Sequence, residues 1–123
     1  MTARPVVKVY LLPADWSEEK YQELMASIVS AISSIGALML TLHSEEDVYI
    51  IFPKDHMAKG LGEEILIEFD LPKHLIPDLN DTVEFEDLVT MTLGKAVQRH
   101  LPKANIQCKI YPFEAKKGCW VSH

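Results

Sequence analysis

Residues Glu64 to Leu71 alternate between two chemistries. Ile65, Ile67, Phe69 and Leu71 are apolar, while Glu64, Leu66, Glu68 and Asp70 form a largely acidic second set. A period of two puts neighbouring side chains on opposite faces, so this octad predicts a strand with one buried and one partly solvated face. Such a strand folds only if something apolar covers its greasy side. The helical patterns on either side supply that cover.

Val6 to Leu12 predicts a first strand, with Val7, Val9 and Leu11 on one face and Pro13 as its stop. A helix is expected next, opened by Asp15 with Glu18 three residues on, a capping-box spacing. Its apolar stripe is Tyr21, Leu24, Met25, Ile28, Ile32 and Ile35, and Gly36 is a natural stop. Residues 37–47 fit either a short strand or a packed loop. Val48 to Phe52 reads as a strand closed by Pro53, and KDHMAKGLG as a turn region. A second helix runs from the cap residues Asn80, Asp81 and Thr82 to about His100. Its face is Phe85, Leu88, Val89, Thr92, Ala96 and Val97. Ile106 to Tyr111 closes the pattern as a strand, with Ile106, Cys108 and Ile110 on its inner side. The expected fold class is α/β (α+β) in the order βαββαβ. It forms one domain over residues 1–123, with both helices on one sheet face.

The other sheet face then carries Lys8, Tyr10, Leu12, Tyr49, Ile51, Leu66, Glu68, Lys109 and Tyr111. That set is too apolar for free solvation and too charged for a monomer's core, which predicts that another subunit covers it. A solvated face with incidental aliphatics is the competing reading. The formal net charge of −6 opposes nucleic acid and anionic membranes as partners. Two cysteines outside any CxxC unit, and an N-terminal apolar run too short for a signal peptide, predict a cytoplasmic protein.

Chemistry-bearing motifs are sparse. The five histidines lack metal-ligand spacing, so no metal is expected. His100 is explained by its place at a helix C-terminus. Gly60 and Gly62 precede a strand and are followed by Glu63 and Glu64, which would repel phosphate. Ser17, Ser30 and Ser33 stand outside any GxSxG elbow.

Three pieces together resemble the tautomerase superfamily, in its macrophage migration inhibitory factor-like and small bacterial branches. They are Pro5 before the first strand, DVYIIFPKDHMAKGLGEEILIEFDL, and the ending IQCKIYPFEAKKGCW with Gly118 and Trp120. The resemblance spans nearly the whole chain in element order. It implies a trimer with inward-facing sheets and a cofactor-free isomerase that moves a proton on a small keto or enol carboxylic acid. It also implies an N-terminal proline as general base, because a free secondary amine in an apolar pocket can have a pKa near working pH. Here Arg4 precedes Pro5, so Pro5 can be catalytic only if the chain is N-terminally processed. Without processing, the implied protein is a non-catalytic oligomer that binds a ligand or serves a structural role. Lys109, Gln107 and Trp120 are the implied substrate-binding residues. Lys109 fits a charge pair with Glu68 or Asp70 somewhat better than that role, and Trp120 fits a subunit interface equally well. A ferredoxin-like dimer shares the same element order.

Overall fold

The computed structural model describes residues 4–35, 48–54, 63–73 and 82–114, without the side chains of residues 82 and 83. The elements are β1 (Val6–Tyr10), α1 (Glu18–Ser33), β2 (Tyr49–Ile51), β3 (Glu64–Pro72), α2 (Thr82–Gln98) and β4 (Asn105–Phe113). The strands form one mixed sheet in the order β2-β1-β3-β4. β1 pairs with β2 in parallel and with β3 antiparallel, and β3 pairs with β4 in parallel. Each half is thus a strand–helix–strand unit, joined to the other at the central antiparallel pair. The expected βαββαβ architecture is the observed one.

The alternation in β3 is realised as drawn. Ile65, Ile67, Phe69 and Leu71 are at most 2% exposed and pack with Val7, Val9, Leu24, Ile28, Ile32, Val89, Leu93 and Val97. Among the described residues no polar or charged side chain is buried, so hydrophobic burial holds this core without internal polar networks.

Four local expectations change. Leu11 has a φ of 67°, which ends β1 and reverses the alternation. Leu11 therefore turns out to solvent while Leu12 enters the core, so Leu12 does not belong to the helix-free face. Ser17, not Asp15, caps α1: its hydroxyl oxygen accepts from the Lys20 N–H at 3.3 Å, and Glu18 and Glu19 occupy the first turn, where the helix dipole favours them. The helix stops at Ser33, short of Gly36, yet Ile35 still packs inward. On α2 the buried arc is Phe85, Val89, Leu93, Ala96 and Val97. Leu88 lies about a third of a turn from its centre and is exposed, as are Met25 on α1 and Met91 on α2. Residues 37–47 and the turn region from Asp55 to Gly62 lie outside the described residues. Among the described residues no helix is long and apolar enough to cross a membrane.

Candidate functional site

The strand register lays out the helix-free face in three rows. The first runs Tyr49, Val6, Asp70 and Tyr111 across β2, β1, β3 and β4; the second runs Ile51, Lys8, Glu68 and Lys109. The third holds Tyr10, Leu66 and Gln107. Large apolar or aromatic side chains stand exposed at the margins, with Tyr49 at 48%, Ile51 at 45% and Tyr111 at 43%. Charges occupy the centre and partly satisfy one another. Lys8 Nζ lies 2.9 Å from Asp70 Oδ2, and the Tyr10 hydroxyl is 3.5 Å from Glu68 Oε2, the outer limit of a hydrogen bond. The Asp70 carboxylate, by that contact, holds the Lys8 ammonium above its ordinary pKa of 10.5. Lys109 stands opposite Glu68 on an exposed stretch of β4 and makes no ion pair among the described residues. Asp70, one of its two expected partners, is taken by Lys8.

Pro5 continues the buried series of Val7 and Val9 immediately ahead of β1. Its carbonyl accepts the Tyr49 N–H at 3.0 Å, which extends the β1–β2 ladder by one bond. Its nitrogen is the amide of the Arg4–Pro5 bond and carries no basic lone pair. The Arg4 guanidinium lies 5.2 Å from the centre of the Tyr49 ring, a cation–π distance. Register keeps Lys109 and Gln107 away from this point within one chain. Lys109 is level with Lys8, three residues along from Pro5 and two strands across, on the order of 14 Å away. Gln107 is level with Tyr10 and farther still. Trp120 lies outside the described residues.

Two further groups invite a chemical reading. The Ser27 hydroxyl and His100 Nε2 are 2.7 Å apart, joining α1 to the end of α2. Ser27 sits mid-helix, where backbone N–H groups are already bonded within the helix, so α1 itself offers no oxyanion donor there. The pair is a helix–helix tie. Burial pushes the Cys108 thiol up to about 12, which removes it as a nucleophile near neutral pH. Among the described residues no group of three metal-ligating side chains converges.

Sequence reasoning missed the Ser27–His100 contact and the cation–π contact of Arg4 with Tyr49. Arg4 and Tyr49 are 45 residues apart in sequence, and only the parallel register of β1 on β2 brings them together.

No protein-family model matches the sequence, and no curated protein matches it. Solved structures do. One is a macrophage migration inhibitory factor-like protein from Entamoeba histolytica, 13% identical over 95% of each chain with a TM-score of 0.60. A second is a fused 4-OT wild-type symmetric trimer, 14% identical, covering 89% of this chain and 85% of that one at a TM-score of 0.59. A third is a malonate semialdehyde decarboxylase, 11% identical over 95% of this chain and 91% of that one, at 0.53. All three are tautomerase superfamily members, so the resemblance seen in the sequence holds at the level of fold. Identities this low carry no specific function.

Proposed function

We propose that this chain works untrimmed, as a non-catalytic homo-oligomer with the tautomerase fold that binds a small carboxylic acid. The carrying observation is the state of Pro5. Its nitrogen is closed in an amide, the residue is buried, and the guanidinium of the residue before it lies over the Tyr49 ring. A general base needs a lone pair, and an amide nitrogen has none to give. The helix-free face supports assembly, because its exposed aromatic and aliphatic margin surrounds charges that already offset one another. The likeness to a 4-OT symmetric trimer supports three copies. Lys109, Gln107 and Trp120 belong to this reading as ligand-facing groups contributed across copies, and the location proposed for it is the cytoplasm. N-terminal sequencing of protein from its native source, with light scattering on the same sample, tests it. A chain that retains Arg4 and scatters as a multiple of 13.9 kDa is expected. A mature chain that starts at Pro5, or a clean monomer, overturns it.

A second reading keeps one observation in its favour: Pro5 is buried at the head of β1. If the Arg4–Pro5 bond were cut, the freed secondary amine would sit where burial lowers its pKa toward neutrality. It would then take the proton from the enol oxygen of a small keto acid and return it to the neighbouring carbon, without a cofactor. A chain prepared to begin at Pro5, assayed by ultraviolet absorbance for ketonisation of an α-keto acid's enol, checks this. Activity above the full-length protein supports the isomerase, and equal rates sink it.

A further inference from the structure

α2 carries an outward row that the core does not use. Glu84, Leu88, Met91 and Lys95 follow one another at steps of four, three and four residues, the spacing of a helix–helix seam. All four are exposed, Leu88 at 45% and Met91 at 50%, and they turn away from the buried arc of Phe85, Val89 and Leu93. The steps read the same in both directions, so the row has a two-fold centre between Val89 and Thr90. An antiparallel second copy of α2 therefore sets Leu88 against Met91, and Glu84 against Lys95, once on each side of that centre. Such self-complementarity is what an isologous contact requires. A parallel copy would instead oppose Glu84 to Glu84 and Lys95 to Lys95, so the charges select the antiparallel direction. Asp87 and Arg99 repeat the polarity, acidic early and basic late. α1 also exposes an apolar side chain, Met25, but it has Glu18 and Glu19 in its first turn and no basic residue in its last. Two antiparallel copies of α1 would leave those carboxylates without cations. Apolar exposure is common to both helices; the charges single out α2.

We infer that the outer row of α2 is a docking surface for α2 of a second copy of this chain, with Leu88 and Met91 at its centre and a Glu84–Lys95 pair at each end. The contact lies across the sheet from the helix-free face and does not depend on assembly there. Each copy carries a net charge of −6, which opposes self-association at long range. That repulsion is screened beyond about 8–10 Å at physiological salt, whereas charges in direct contact are screened much less. Four side chains from each helix make a small contact, of the transient rather than the permanent class. Gly94 lies about a quarter turn from the centre of the row and stays outside it.

Sedimentation equilibrium of the full-length chain from about 10 μM to 1 mM should show the particle mass rise at least twofold. Glu84→Lys and Lys95→Glu each put like charges at both ends of the contact. Because the two-fold repeats every change, either variant alone should associate about tenfold or more weakly. Mixed in equal amounts, the two should recover the parent's association, since each end of the mixed pair again joins opposite charges. Leu88→Gln should weaken association without rescue by either charge variant. All three sites are exposed, so thermal melts at low concentration should match the parent's and exclude misfolding as the cause. A parent whose mass does not rise overturns the inference, and that is also the outcome if the row receives an unrelated partner. Single variants that associate like the parent, or a mixture no stronger than its components, overturn it too. The particle left after Glu84→Lys reports on the helix-free face alone, so its mass tests the trimer without bearing on this contact.

Discussion

Lys8 reaches past its own register partner. Its backbone is level with Glu68, yet its ammonium meets the carboxylate of Asp70, one pair farther along β3, at 2.9 Å. The diagonal contact leaves Glu68 between the Tyr10 hydroxyl on one side and Lys109 on the other strand. Side chains of the ion pair are 31% and 29% exposed in the single chain. In that setting the pair is worth at most about 1 kcal/mol.

Covering the face changes that magnitude. Removing one member of a buried pair costs about 3–5 kcal/mol, because the other charge is left without a partner. Lys8→Met is therefore expected to cost about 3–5 kcal/mol in the assembled protein and about 1 kcal/mol or less in dilute monomer. Urea melts at micromolar and hundred-fold lower protein concentration separate the two. Equal small losses at both would show that the face is solvated.

The cap of α1 can be tested in isolation from assembly. Ser17→Ala removes the acceptor of the Lys20 N–H and should cost about 1 kcal/mol. Asp15→Ala, at the position the spacing favoured, should change stability by no more than about 0.5 kcal/mol. Thermal melts of the two variants decide which residue caps the helix.

That contrast shows what kind of information sequence pattern carries. Alternation in β3 and β4 was legible because one face of β3 is buried and one face of β4 is half-buried against the same core, and a one-residue slip would put Phe69 in water. The apolar spacing of α1 and α2 was legible for the same reason, although choosing Leu88 over Leu93 depended on where the arc was centred. Features set by one dihedral angle were not legible. Leu11 at φ 67° exchanges the sides of Leu11 and Leu12, and no propensity points to a leucine there. Contacts that require register, such as Lys8 with Asp70 or Arg4 with Tyr49, have no local signature. For the candidate site, Pro5 and Lys109 could be named from the chain, but their separation on the sheet could not.

Gly94 offers a gain in stability. It sits inside α2, where glycine costs roughly 1 kcal/mol relative to alanine. A Cβ built there meets nothing within 4 Å, so no packing reason for glycine is visible in the single chain. Gly94→Ala should raise stability by about 0.5–1 kcal/mol with an unchanged denaturant slope. A loss of stability, or a loss of oligomer mass, would mean that a neighbouring copy packs against this turn of the helix.

Alkaline pH should destabilise the fold through two identified groups. Cys108 has an ordinary thiol value of 9.0 and is pushed up to about 12 by burial. Between those values the unfolded chain loses this proton while the folded chain keeps it, so the unfolded state binds fewer protons and stability falls as pH rises. Lys8 works in the same direction. Its pKa is raised above 10.5 by Asp70, so the stability it contributes is present below 10.5 and is lost as the folded ammonium titrates. Urea midpoints followed from pH 8 to 11.5 should therefore decline, with the slope steepening above about pH 9. Cys108→Ala removes one titrating group at some cost in packing, so its midpoint should start lower at pH 8 and fall less steeply thereafter. Parallel declines for the variant and the parent would show that the Cys108 thiol reaches water in the folded protein and titrates there as it does in the unfolded chain.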